Sequence, residues 1–168
     1  MPKLELDAEA LYRSLADQVK SALAGVDRLA LVGIYSGGAW LAERLAAELQ
    51  IEERLGFIDV SFYRDDYAEK GLPASVKPTH ISFEVEGATI LLVDDVLYTG
   101  RTTRAAINEL FDYGRPARVL LAALVDRGGR ELPIAADFVA ASVELEASET
   151  LLLHRADDGS FTFSIKHA

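Results

Sequence analysis

The chain contains no cysteine, which removes disulfides, thiolate zinc sites and a cysteine nucleophile at once. It also has no apolar run of the roughly 20 residues that a membrane-spanning helix needs. Its first residues, Met1-Pro2-Lys3-Leu4-Glu5-Leu6-Asp7, turn acidic where a signal peptide requires a continuous apolar stretch. A cytoplasmic protein with no membrane partner is expected. Positive charge is scarce: 17 Lys and Arg stand against 27 Asp and Glu, a net charge of −10. Such a balance repels a phosphate backbone and counts against general nucleic-acid binding. No G-x-x-x-x-G-K-[ST] loop occurs, and Gly33, Gly37 and Gly38 do not make the G-x-G-x-x-G spacing. The nucleoside-triphosphatase and dinucleotide-binding readings therefore lose their main support.

What is present is a regular alternation. In 168 residues, half of them apolar, one substantial core fits, so residues 1–168 are expected to form a single domain. Leu11, Leu15, Val19 and Leu23 recur at helical spacing after Asp7, a good N-cap, and Gly25 follows as a stop. The run Leu29 to Ile34 breaks at Ser36-Gly37-Gly38, after which Leu41, Leu45 and Leu49 return to helical period. A second unit runs Ile90-Leu91-Leu92-Val93, then Asp94-Asp95, a Thr- and Gly-rich turn, and a helix through Ala106, Leu110 and Phe111 that ends at Gly114 before Pro116. Val119 to Val125 forms another buried strand. Apolar strands alternating with helices predict an α/β fold, a mainly parallel sheet flanked by helices, with ligands at the carboxyl ends of its strands. Two regions break the rhythm. Residues 64–80, with Gly71, Pro73, Pro78 and alternating charges, read as a long mobile loop able to act as a lid. The tail, with Leu151-Leu152-Leu153 and Phe161 to Ile165 around Asp157-Asp158-Gly159, reads as a terminal β-hairpin.

The chemistry concentrates in Ile90-Leu91-Leu92-Val93-Asp94-Asp95-Val96-Leu97-Tyr98-Thr99-Gly100-Arg101-Thr102-Thr103. A buried strand delivers two carboxylates to the sheet's ligand edge, just ahead of a small-residue loop that enters a helix. Backbone N–H groups, the helix dipole and the hydroxyls of Thr99, Thr102 and Thr103 can together cradle a phosphate. Ionised carboxylates only accept hydrogen bonds, which suits the hydroxyls of a ribose. The spacing points to a sugar 5-phosphate site. Arg101, Arg104, Arg115, Arg118, Arg127 and Arg130 make the following stretch locally basic in an acidic chain, a pattern that attracts a small anion.

The segment from Val93 to Thr103 resembles the phosphoribosyl-pyrophosphate motif of type I phosphoribosyltransferases. More specifically it is similar to the pyrimidine-operon regulatory proteins, uracil phosphoribosyltransferases that in some bacteria also bind messenger RNA. Phe62-Tyr63-Arg64-Asp65-Asp66 and Leu124-Val125-Asp126-Arg127-Gly128-Gly129-Arg130-Glu131-Leu132-Pro133 agree with that family, so the resemblance spans residues 30–140. It implies transfer of the phosphoribosyl group of phosphoribosyl pyrophosphate to uracil, giving UMP and pyrophosphate. Asp94 and Asp95 hold the ribose hydroxyls in this implied site, and Val96 with Tyr98, Thr99, Gly100, Arg101, Thr102 and Thr103 surrounds the 5-phosphate. Tyr35, Ser36, Gly37 and Gly38 lie at the pyrophosphate; Val125, Asp126 and Arg127 border the base under a small hood built from residues 125–168. Arg64 enters with the lid and joins Asp94 and Asp95 in catalysis. Mg2+ arrives with the substrate, with no direct protein ligand expected, and the family habit of self-association implies a homo-oligomer, a dimer first.

Two departures bear on the RNA arm of that resemblance. Relatives carry arginines in the first turn, in a run like Ile-Arg-Thr-Arg-Gly, where this chain has Ile34-Tyr35-Ser36-Gly37-Gly38. Beyond Ala140 the chain carries Glu144, Glu146 and Glu149, with no Lys or Arg before Arg155. The alternatives to a uracil enzyme are a nucleotide-sensing RNA-binding regulator, which these departures weaken, and an enzyme for another base.

Overall fold

The first helix begins as its cap predicts: the Asp7 side chain accepts a hydrogen bond from the Ala10 amide at 3.1 Å, satisfying one of the orphan donors of the first turn. The computed structural model describes residues 6–60 and 79–168. In chain order these form α1 (Ala8–Leu23), β1 (Leu29–Ile34), α2 (Gly37–Leu49), a 3-10 turn (Glu52–Arg54), β2 (Leu55–Ile58), β3 (Thr89–Leu97), α3 (Arg101–Phe111), β4 (Arg118–Asp126), β5 (Phe138–Ser142), β6 (Glu149–Arg155) and β7 (Phe161–His167). Five strands make one parallel sheet in the order β2-β1-β3-β4-β5. β6 and β7 pair antiparallel as the terminal hairpin the sequence suggests. Residues 64–78 of the expected lid, Arg64 among them, lie outside the described residues. Just past them, Thr79 Oγ1 donates to Glu109 of α3 at 2.5 Å, and His80 pairs with Phe57.

Burial on both faces explains the unbroken apolar runs. Along β3, Leu91 and Val93 face a core built from α1, α2 and the hairpin residues Leu151, Leu153 and Phe161. Ile90 and Leu92 face the opposite core, with Ala106 and Leu110 of α3 and Val85. The alternation is the period of two that a strand imposes. At the first core's edge the fully buried Tyr12 donates from its hydroxyl to Glu48 at 2.5 Å, while the Arg44 guanidinium lies 4.1 Å above its ring. Among the described residues no helix is long and apolar enough to cross a membrane.

Two boundaries differ from the sequence expectation. β3 does not stop at Val93 but continues to Leu97, because β4 keeps pairing with it through Val96↔Val125 and Leu97↔Asp126. Asp94 and Asp95 are therefore carried on the strand itself. α3 ends at Phe111 rather than Gly114, in a tighter turn in which the Asp112 and Tyr113 amides bond to the carbonyls of Glu109 and Leu110.

Strand order locates the site. From β1 the chain leaves through α2 to β2 on one side; from β3 it leaves through α3 to β4 on the other. The two helices lie on opposite faces of the sheet. Between the carboxyl ends of β1 and β3 the connections diverge, and that crevice is where an open α/β sheet binds its ligand.

Candidate active site

Both helices that flank the crevice start there without a side-chain cap. α2 follows Ser36, and α3 follows Gly100, which holds φ at +95°. Apart from the Arg101 amide, which donates to Thr99 Oγ1, their first-turn N–H groups have no side-chain cap, an arrangement by which helix N-termini can bind phosphates. The peptide between Tyr35 and Ser36 is cis.

Close packing brings these termini to the sheet. A Cβ on Gly33 would lie 2.6 Å from the Ala39 Cα and 2.9 Å from the Ala42 Cβ, and one on Gly38 would lie 3.0 Å from the Asp94 Cα and fall on the Val93 carbonyl oxygen. The three glycines that fail the dinucleotide spacing thus serve another purpose: they let α2 lie directly on β1 and β3. Gly37 has the same role toward a side chain, since a Cβ there would lie 2.9 Å from the Asp95 carboxyl carbon.

The two carboxylates point to different halves of the crevice, as neighbours on a strand must. Asp95 faces Gly37 and the start of α2. Asp94, 7% exposed, lines a pocket with Val96, Leu97, Tyr98, Gly100, Thr102 and Thr103. Each also steadies the strand end, Asp94 accepting from the Asp95 amide at 2.9 Å and Asp95 from the Val96 amide at 2.8 Å. In the same pocket the Thr103 hydroxyl is buried and has no hydrogen-bond partner among the described residues. A buried hydroxyl without a partner costs about 1–3 kcal/mol, a cost that a hydrogen-bonding ligand in the pocket would remove. Thr99 Oγ1 accepts from the Arg101 amide at 3.2 Å.

Tyr35 extends β1 at the crevice, its amide bonded to the Ile58 carbonyl and its ring 5.4 Å from that of Phe57. Burial, with the charges of Glu43 and Asp59, raises its phenol above the usual range, so it stays a neutral hydrogen-bonding group at physiological pH.

At the end of β4, Val125 is fully buried and the side chains of Asp126 and Arg127 have internal partners. Asp126 accepts from the Gly128 amide at 2.9 Å and from Arg130 at 2.6 Å. Burial works to raise its pKa, but the Arg130 hydrogen bond and charge and the Gly128 amide prevail and hold it below the usual carboxylate value. Arg127 donates to the carbonyls of Glu149 (2.7 Å) and Glu146 (3.0 Å) and stacks 4.0 Å over the Tyr98 ring. Its guanidinium fastens the chain leading into the hairpin to the loop that carries Tyr98.

One residue at the site carried no role in the sequence reading. Arg130 donates to the Tyr98 carbonyl at 2.7 Å, the Ile134 carbonyl at 2.8 Å and the Asp126 carboxylate at 2.6 Å. Its position inside the motif Asp126 to Arg130 was the only available signal. A guanidinium's partners across 32 residues leave no periodicity to read.

Comparison with known proteins identifies the family and the fold. The phosphoribosyl transferase domain family matches residues 5–149. A protein named bifunctional protein PyrR from Ralstonia nicotianae is 54% identical, covering 98% of this chain and 97% of the relative. One of the same name from Nitrosococcus oceani is 46% identical over 95% of this chain and 92% of its own length. Among solved structures, purine phosphoribosyltransferase from Pyrococcus horikoshii superposes with a TM-score of 0.64 at 24% identity, covering 86% of this chain and 89% of that one. Hypoxanthine phosphoribosyltransferase from Trypanosoma cruzi gives 0.61 at 24% identity over 82% and 78%. These two likenesses show the fold.

Proposed function

The chain belongs to the phosphoribosyl transferase family, alongside the relatives named bifunctional protein PyrR, and is a phosphoribosyltransferase; on that premise we propose that it transfers the phosphoribosyl group of phosphoribosyl pyrophosphate to uracil, forming UMP. The observation that carries this reading is the crevice between β1 and β3, where two uncapped helix starts, two carboxylates on opposite faces of one strand and a buried unpartnered hydroxyl meet. Two separate anions and a sugar between them fit that layout.

The 5-phosphate sits in the pocket of Tyr98, Gly100, Thr102 and Thr103, the ribose hydroxyls reach Asp94 and Asp95, and the pyrophosphate takes the α2 start at Ser36, Gly37 and Gly38. As the bond from the anomeric carbon to pyrophosphate lengthens, its electron pair leaves with pyrophosphate and positive charge grows on the ring, and the uracil nitrogen forms its bond from the opposite face while giving up its proton to water. The protein's contribution is mainly positioning and stabilisation of the leaving group. Asp94 and Asp95, as hard oxygen donors, are the residues that would favour a magnesium arriving with the substrate, and such an ion would neutralise charge on the pyrophosphate. Asp126 and Arg127, held by their internal bonds, shape the loop that borders the base. Calorimetric titration with UMP tests the binding half of this reading. Saturable binding that phosphoribosyl pyrophosphate displaces is expected, and no heat with folded protein would overturn it.

A second reading, a nucleotide-sensing regulator that binds messenger RNA, is favoured by one observation: relatives 54% and 46% identical are named bifunctional. The folded surface limits it. Of the six arginines between 101 and 130, Arg127 and Arg130 are engaged internally and Arg101 pairs with Glu131 at 2.8 Å. Arg104, Arg115 and Arg118 are exposed. Three phosphate contacts on single-stranded RNA give a log–log salt slope of about −2. Filter binding of a pyrimidine-operon leader across salt concentrations is expected to show weak retention with a slope that shallow. Tight, sequence-selective retention with a much steeper slope would place an RNA surface elsewhere on the chain.

A further inference from the structure

The connection from β4 to β5, residues 127–137, joins two parallel strands without a helix. Its course is fixed by what it does to the phosphate loop. The Arg127 amide donates to the Leu97 carbonyl, the Arg130 guanidinium to the Tyr98 carbonyl, and the Glu131 and Leu132 amides to the Thr99 carbonyl. Three successive carbonyls of the loop are thus held by donors from one segment. In a trans peptide the carbonyl and the following N–H point in opposite directions. Holding the carbonyls of Leu97, Tyr98 and Thr99 on the segment's side therefore turns the N–H groups of Tyr98, Thr99 and Gly100 the other way. No residue of 127–134 lines the pocket formed by Asp94, Tyr98, Gly100, Thr102 and Thr103, so the N–H groups turn away from the segment and toward the anion.

Among these donors only the one to Tyr98 comes from a side chain, and it also carries the tie to Asp126 at the end of β4 and to Ile134. The guanidinium is one-quarter exposed and bonds at 2.6–2.8 Å to all three. We infer that Arg130 is a positioning residue: by gripping the Tyr98 carbonyl from the loop that borders the base, it sets the phosphate-binding N–H groups and couples the two halves of the site. It touches no reacting atom. The inference rests on the assignment of the Tyr98 to Thr103 loop to a phosphate.

Inorganic phosphate is the probe, read through the backbone amide resonances of Tyr98 and Gly100 in the full-length protein. Three variants are compared with the parent: Arg130→Met keeps the stem and removes the grip, Arg130→Lys keeps one cationic donor, and Tyr12→Phe lowers stability at a distance. The parent is expected to show saturable shifts at both amides. Arg130→Met is expected to bind phosphate about tenfold more weakly, having lost a charged hydrogen bond to the loop, with Arg130→Lys between the two and Tyr12→Phe unchanged. If the parent amides do not respond to phosphate, the loop assignment falls and the inference with it. If they respond and Arg130→Met responds at the same concentration, or Tyr12→Phe weakens as much, the assignment stands and the positioning role is wrong.

Discussion

Replacing Asp94 or Asp95 with Asn is expected to lower kcat/KM for phosphoribosyl pyrophosphate by about 10- to 100-fold each, from the roughly 1.5–3 kcal/mol that a hydrogen bond to a charged group contributes. Asn keeps the shape and the acceptor that each carboxylate presents to the next amide at 2.8–2.9 Å, so the strand end should hold. What is lost is negative charge beside a ring that becomes positive. Although the two side chains face different halves of the crevice, both accept from ribose hydroxyls and neither attracts an anion. Each substitution should therefore weaken ribose 5-phosphate binding and leave pyrophosphate binding no weaker. Calorimetry with each half-ligand reads the two effects, and variants that bind both as the parent does, with unchanged thermal melts, would remove the carboxylates from the site.

Gly38→Val is expected to be the more disruptive change. Its side chain would have to enter space held by the Val93 carbonyl and the Asp94 Cα, both backbone atoms of the central strand that cannot rotate away. Overpacking of this kind costs about 1–3 kcal/mol, and relief by lifting α2 would carry the Ser36-Gly37-Gly38 turn, the proposed pyrophosphate site, away from Asp95. A lower urea midpoint together with activity reduced beyond what the unfolded fraction explains is the expected result. Parent-like stability and turnover would mean that the α2 start tolerates displacement and does not position a ligand.

The sequence made the fold class legible, and with it the position of the segment Asp94 to Thr103 at the carboxyl edge of the sheet, for identifiable reasons. Continuous apolar runs followed by glycine turns and helical spacing can only be satisfied by a sheet covered on both faces, and the five parallel strands are that sheet. Asp7, a capping residue before a clean helical stripe, marked α1 to the residue. Where the expectation missed, a partner distant in sequence was responsible. β3 runs past its apolar stretch because β4 pairs with Val96 and Leu97, and with that extension came the opposite facing of Asp94 and Asp95. A pair of adjacent aspartates reads as one acidic spot until the strand that carries both is known. The motif places Asp126 and Arg127 beside the base; what the sequence does not show is that Arg127 also donates to the carbonyls of Glu146 and Glu149, because those contacts depend on how the chain returns after β5. The basic stretch from Arg101 to Arg130 looked like one patch in sequence, and the fold divides it between internal clamps and separate exposed positions.

Catalysis itself is the most direct test. The purified chain is incubated with phosphoribosyl pyrophosphate, Mg2+ and, in turn, uracil, cytosine, orotate, adenine, guanine and hypoxanthine, and release of pyrophosphate is followed together with the nucleotide formed. Pyrophosphate is expected to appear with uracil in equal amount to UMP, and to stay at the base-free level with the others. Pyrophosphate release that depends on a purine or on orotate rather than uracil, or none with any base from protein shown to be folded, would contradict the account.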